Sequence, residues 1–298
     1  MDINTLEITE LPEGFGFTGI RELVNQTLGI NFGAMLTPGA IPTGFQELDK
    51  CIGGFQSGQL YTVAVKPGMG KTAFLLSLVN NLAIKDRYSV AIFSAERSDI
   101  KMTKRLIESE TGMSVDKLQE GNMKDSRKDH LLSLLGNIAK AKIMIDDTKV
   151  LTVEELARKS KRLKNLQKTD VIVIDYLELL TSTASTQTDP TGRQIESIGK
   201  VRRIAAETGI PIVLFTQAVA KINGHEISKK PTAKGLPAHL QEASDVLMLL
   251  HRNDVFAIPD ADKKSNVELM VLKNDNNEEE SIVPLHFIES IAKFTDHA

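Results

Sequence analysis

Residues 65–72 read Val-Lys-Pro-Gly-Met-Gly-Lys-Thr, and they join an apolar run to an apolar helical pattern. Leu60–Val65 has the β-branched and aromatic character of a buried strand. Thr72–Ala83 has the spacing of a helix packed on that strand. A glycine-rich turn in this setting aims successive backbone N–H groups, and the positive end of the helix, at one point, and such a point binds phosphate. The candidate cradle is Lys66, Pro67, Gly68, Met69, Gly70, Lys71, Thr72 and Ala73. Lys71 is placed to reach the β- and γ-phosphates of a nucleotide, and the Thr72 hydroxyl to hold Mg²⁺. The full pattern has an earlier glycine where this chain has Val65. The plainer alternative is a strand-turn-helix link with a solvated lysine.

Three strand ends downstream carry polar groups suited to the same chemistry. Val-Ile-Val-Ile-Asp at 171–175 ends a buried apolar run on a carboxylate, which is costly unless a cation waits there. Asp175 is the candidate magnesium carboxylate; a cap on the next turn is the bland alternative. Glu96 follows Ala-Ile-Phe-Ser-Ala at 91–95 and is the candidate base that orients water towards a γ-phosphate. It reads equally well as a glutamate starting a helix, where negative charge suits the dipole. Gln217 follows Ile-Val-Leu-Phe-Thr at 212–216 and is either a γ-phosphate sensor coupled to the next loop or a turn cap.

The elements that must position these groups follow from the rhythm of the chain. Apolar runs at Leu60–Val65, Ser89–Ser94, Lys142–Asp146, Val171–Asp175 and Pro211–Thr216 alternate with helical patterns at about 72–84, 99–112, 126–139, 152–167 and 191–208. This implies an α/β fold with a mainly parallel sheet covered on both faces. Val246–His251, Val267–Lys273 and Ser281–Phe287 look like antiparallel strands extending it. Thr181–Arg193 and Ala218–Leu240 show no clear structure, and long loops in a compact domain are usually functional. Residues 1–40 read as an arm or linker with one short helix near Thr18–Leu28, leaving 41–298 as one domain.

Of the 298 residues, 41% are hydrophobic and 25% charged, ordinary for a globule with a sizeable core. A net charge of −3 supplies no global field for nucleic acid or anionic lipid, so any DNA contact must be local. Cys51 is the only cysteine, which excludes internal disulfides. No segment has the apolar length of a membrane span, and the acidic N-terminus is unlike a signal peptide, so the expected location is cytoplasmic.

The run Ile41-Pro-Thr-Gly-Phe-Gln-Glu-Leu-Asp49, then Gly53, Gly54 and Gly58, resembles the entry to the motor domain of the bacterial replicative helicase (DnaB-like) family. So do the phosphate loop, Phe93-Ser-Ala-Glu96, Ile145-Asp-Asp-Thr148, Leu151-Thr-Val-Glu-Glu-Leu156, Val171–Leu180, Gln217, Ser244-Asp245 and His251-Arg252, all in order over about 41–275. That family's valine or alanine at the first glycine position accounts for Val65. The resemblance implies a RecA-like phosphate-loop fold, ATP and Mg²⁺ as cofactors, a homo-oligomeric ring or filament with nucleotide between subunits, and single-stranded DNA in a central channel. By the same resemblance Lys71, Glu96, Gln217 and Lys273 are catalytic, Thr72 and Asp175 hold the metal, and Arg252 contacts the nucleotide. The loops 181–193 and 218–240 match the two channel loops, with Arg193, Lys221, Lys229, Lys230 and Lys234 as candidate DNA contacts, although lysines in a loop also serve solubility alone.

The chain departs from the family in three places. Only about 40 residues precede Ile41, where the family has a globular N-terminal domain. The family strand that presents a lysine and, two residues later, an arginine to the neighbour's γ-phosphate here reads Lys273-Asn-Asp275, and no arginine follows Arg252. Gly235-Leu-Pro-Ala-His239 has no counterpart. Two functional classes remain: an ATP-dependent translocase or helicase motor on single-stranded DNA, weak if nothing replaces the arginine, or a nucleotide-dependent adaptor that regulates a replicative helicase.

Overall fold

In the computed structural model the alternating apolar runs become β1 (Leu60–Val65), β2 (Val90–Ser94), β3 (Ile143–Asp146), β4 (Val171–Asp175) and β5 (Ile212–Thr216). A short hairpin, β6 (Lys221–Ile222) and β7 (His225–Glu226), precedes β8 (Val246–Arg252), β9 (Lys264–Asn274), β10 (Ser281–Ile288) and β11 (Lys293–Asp296). The helices are α1 (Gln46–Ile52), α2 (Lys71–Val79, continued by a π-helical turn, Asn80–Lys85), α3 (Asp99–Thr111), α4 (Val115–Glu120), α5 (Asp125–Lys140), α6 (Val153–Asn165), α7 (Pro190–Thr208) and α8 (Ala238–Ala243). The structure describes residues 37, 39–120, 125–183, 187, 189–217, 221–222, 225–226, 235–252, 264–275 and 280–297. The helix expected near Thr18–Leu28 lies outside them.

All the strands except the small hairpin form one nine-stranded sheet in the order β11-β10-β9-β8-β1-β5-β4-β2-β3. Each parallel interior strand is buried along its whole length, so successive side chains feed two cores in turn. Val63 and Val65 join Phe74, Leu75 and Leu78 of α2 on one face. Leu60 and Ala64 join Val201 and Ile204 of α7 on the other. Polar caps set where the helices begin. Thr152 Oγ1 accepts from Glu155 N at 3.1 Å ahead of α6, and Asp189 accepts from Gly192 N at 2.8 Å with Pro190 in the first turn of α7.

The C-terminal half departs from the sequence expectation in its first strand. The pattern predicts an antiparallel β8, yet β8 runs parallel to β1, pairing Tyr61 with Val246 through Val65 with Leu250. Only from β9 onward does the sheet turn antiparallel. A run buried on both faces carries no sign of its direction, and at the start of β8 Asp245 Oδ2 accepts from Leu60 N at 2.7 Å, which ties it to the start of β1. The two segments expected to lack structure also carry some. α7 begins at Pro190, inside 181–193, and residues 218–240 contain the β6–β7 hairpin and the start of α8. Periodicity alone could not find such short elements.

Asp49 of α1 is buried and accepts from Thr43 N at 2.8 Å and Gly44 N at 3.3 Å. Burial nonetheless pushes its carboxyl up to about 6, against those hydrogen bonds. The native state therefore keeps a proton that the unfolded chain releases near pH 4. Stability from this group falls as pH rises through roughly 4 to 6, by up to about 3 kcal/mol. Asp49→Asn should flatten that slope, read as the wild-type-minus-variant difference in urea unfolding at pH 4.5 and pH 7.

Candidate active site

The carboxyl ends of β8, β1, β5, β4 and β2 lie side by side at one end of the sheet, where open α/β sheets bind ligands. β1 delivers the turn 66–70, closed by Met69 N donating to Lys66 O at 3.1 Å. Gly70 has φ +95°, a left-handed conformation that favours glycine, and a Cβ there would meet the Phe294 ring at 3.1 Å. Gly68 is also left-handed, but a side chain at that position would point into open space. α2 starts directly after Gly70, so its unpaired N–H groups face the turn.

Lys71 is the hub of the site. Its Nζ lies 2.5 Å from Asp175 Oδ1, 2.7 Å from Glu96 Oε2 and 3.5 Å from the centre of the Tyr176 ring. Asp175 is 1% exposed, and burial pushes its carboxyl up in spite of Lys71. Burial raises Glu96 as well, but the hydrogen bond and charge of Lys71, with Arg97 and Arg105, outweigh it and hold Glu96 below the usual carboxylate range. Glu96 is therefore an anion at neutral pH, as a water-orienting base must be. Asp175 Oδ2 is buried with no hydrogen-bond partner, and with Thr72 Oγ1 it makes an all-oxygen set. That set fits Mg²⁺, which takes one or two protein oxygens and completes its shell with water and phosphate. Among the described residues no group of three or more His, Cys, Asp or Glu could hold a metal.

The remaining sequence candidates are dispersed. Gln217 stands at the end of β5, its N–H donating to Glu178 Oε1 at 3.0 Å, an oxygen that also accepts from Thr216 Oγ1 at 2.6 Å. Arg252, at the end of β8, pairs with Glu289 and stacks over the Phe287 ring at 4.3 Å. Lys273 sits at the opposite end of the strands, paired in register with Leu247 near the start of β8. Its Nζ donates to Ser244 O at 2.6 Å and lies 3.1 Å from Asp275, so within one chain it does not join Lys71. Arg193 is exposed in the first turn of α7, where a loop was expected. Lys221 lies on β6; Lys229, Lys230 and Lys234 lie outside the described residues.

Several contributors escaped the sequence reading. Arg97 contacts both Thr72 and Glu96, and only its adjacency to Glu96 hinted at this. Glu178 ties the end of β5 to the turn after β4. Glu154, held down to about 2 by Lys200 first and by Ser182 and Thr183, fixes the start of the 181–189 loop on α6. Phe294, from the far end of the chain, packs on Gly70 with no signal in the pattern.

A parallel sheet with a phosphate loop after β1, a carboxylate ending β4 and a second carboxylate after β2 defines a phosphate-loop nucleotide-binding core. The model of the DnaB-like helicase C-terminal domain matches residues 40–296. The chain belongs to that family. It is 28% identical over 302 residues to the replicative DNA helicase DnaB of Geobacillus stearothermophilus, covering 99% of this chain and 65% of the relative. It is 30% identical over 258 residues to the replicative DNA helicase DnaC of Bacillus subtilis, covering 86% and 56%. The chain thus spans under two thirds of the length of these relatives. A solved DnaB-like replicative helicase, described with its interactions with primase, shares the fold. The TM-score is 0.76, with 23% identity over 95% of this chain and 68% of that one. Among the described residues no helix is long and apolar enough to cross a membrane.

Proposed function

We propose that the chain is an ATP-hydrolysing motor domain that moves along single-stranded DNA, working as a homo-oligomer with ATP and Mg²⁺ held at subunit boundaries. The observation that carries this reading is Lys71 bridging Asp175 and Glu96 where the ends of β1, β4 and β2 gather at one end of the sheet. The loop amides and Lys71 would bind the triphosphate, Thr72 and Asp175 would hold the metal, and Glu96 would take a proton from the attacking water. Mg²⁺ bound there would neutralise charge on the β- and γ-phosphates. Gln217, at the end of β5 beside β1, is placed to report the γ-phosphate to the segment that follows. The relatives named as replicative helicases support the motor reading.

ATP turnover with and without single-stranded DNA, with light-scattering mass under the same conditions, tests this. DNA-stimulated turnover by an assembly is expected; no turnover in either condition would remove the motor. Lys229 and Lys230 carry a further expectation. Each lysine that meets a single-strand phosphate contributes about 0.7 to the slope of log affinity against log salt, so K229A/K230A should flatten that slope by about 1.4.

The second reading is a nucleotide-dependent adaptor of a replicative helicase. It is favoured by Asp275 pairing with Lys273 at the strand end where the family resemblance implies an arginine. Nucleotide binding without turnover, together with co-migration with a helicase on a sizing column, would select it.

A further inference from the structure

Transfer of a terminal phosphoryl group spreads negative charge over its oxygens, and a pre-placed guanidinium is among the strongest ways to stabilise it. Lys273 and Asp275 neutralise one another at the far end of the strands, and no arginine follows Arg252 in the sequence. Arg97 is placed differently. Its Nε donates to Thr72 Oγ1 at 3.3 Å, and its terminal nitrogen lies 3.4 Å from Glu96 Oε1. Its backbone is held as well: Arg97 N donates to Ser94 Oγ at 3.2 Å, and that hydroxyl donates to Arg97 O at 3.1 Å. Ser94 is the last residue of β2 and is fully buried, so the arginine starts from a fixed point. Its guanidinium thus sits within one hydrogen bond of the candidate metal-binding hydroxyl and of the candidate base.

We propose that Arg97 is a catalytic residue acting in cis, supplying the transition-state cation for ATP hydrolysis from the same chain that binds the nucleotide. This rests on the ATPase reading above. As the water oxygen bonds to the γ-phosphorus, the bond from phosphorus to the ADP oxygen breaks and its electron pair leaves with ADP. Glu96 takes the water proton, and Arg97 donates hydrogen bonds to the phosphoryl oxygens. The bland alternative is an arginine that only pairs with Glu96.

The test has three arms. Arg97→Ala should lower kcat by about 10²- to 10³-fold, the loss expected for one pre-organised transition-state donor, with KM for ATP changed less than threefold, and Arg97→Lys should recover only part because an ammonium lacks the planar fork. Fluorescent ADP with aluminium fluoride, a mimic of the transferring phosphoryl group, should bind Arg97→Ala at least tenfold more weakly, with ATPγS affinity unchanged. Mixing Arg97→Ala with Lys71→Ala subunits should give no more turnover than the two alone. Wild-type kcat in Arg97→Ala, or gain of turnover on mixing, would overturn the proposal. If the wild type itself turns over no ATP, the ATPase reading fails, and the aluminium fluoride arm still decides Arg97: equal binding by wild type and variant ends the inference.

Discussion

Lys71→Ala should abolish nucleotide binding, with no heat of association at millimolar ATPγS and Mg²⁺. Among the described residues the Lys71 ammonium pairs with both Asp175 and Glu96, whereas Arg97 pairs with Glu96 alone. Its loss removes the charge proposed to face the phosphates and strips Asp175 of its ion-pair partner. Removing one partner of a buried ion pair costs about 3–5 kcal/mol, less whatever protonation of Asp175 recovers. The substitution should therefore lower stability as well, and the two effects can be separated. Lys71→Ala combined with Asp175→Asn removes the stranded charge, so urea unfolding should return towards the wild-type midpoint while calorimetry stays silent. A double variant that binds nucleotide would show that the cradle at 66–70 does not need its lysine.

Glu96→Gln should lower turnover by about 10²- to 10⁴-fold and leave ATPγS affinity within threefold. Glutamine keeps the shape and the hydrogen bond to Lys71 but cannot take a proton. The carboxylate is partly solvated, at 30% side-chain exposure, so urea unfolding should change little. Because Lys71, Arg97 and Arg105 hold Glu96 below the usual carboxylate range, the acid limb of kcat/KM should lie below that range too. Wild-type kcat in this variant would assign the base elsewhere and detach β2 from the chemistry.

Most of the parallel half of the fold was legible because each strand there is buried on both faces, and such strands read as unbroken apolar runs. Val171–Asp175 is the clearest case: its apolar run and its terminal carboxylate both coincide with β4. The π-helical turn after Val79 was not legible, since Asn80–Lys85 continues the same apolar spacing as α2. Nor was the direction of β8. Its seven buried residues look alike whichever way the strand runs, and Asp245, which ties its start to β1, gives no sign of its partner 185 positions away. The core of the site followed from strand ends, because the topology brings Lys71, Glu96 and Asp175 together wherever the ends of β1, β2 and β4 gather. Arg97 and Glu178 were missed for a different reason. Both follow a recognised carboxylate within a few residues, and nothing in their spacing tells a contact with the site from solvent exposure.

Three contacts of β11 reach three different helices. Lys293 pairs with Glu110 of α3, Phe294 N donates to Ser77 Oγ of α2 at 2.9 Å, and Asp296 Oδ1 accepts from Gln46 N of α1 at 3.0 Å. The Phe294 ring also stacks edge-on against Phe74 at 5.5 Å and roofs Gly70. The glycine-rich turn is therefore backed by a side chain that lies far from it in sequence. The shape of the glycine-rich turn is thus tied, through Phe294, to a strand that also braces α1, α2 and α3.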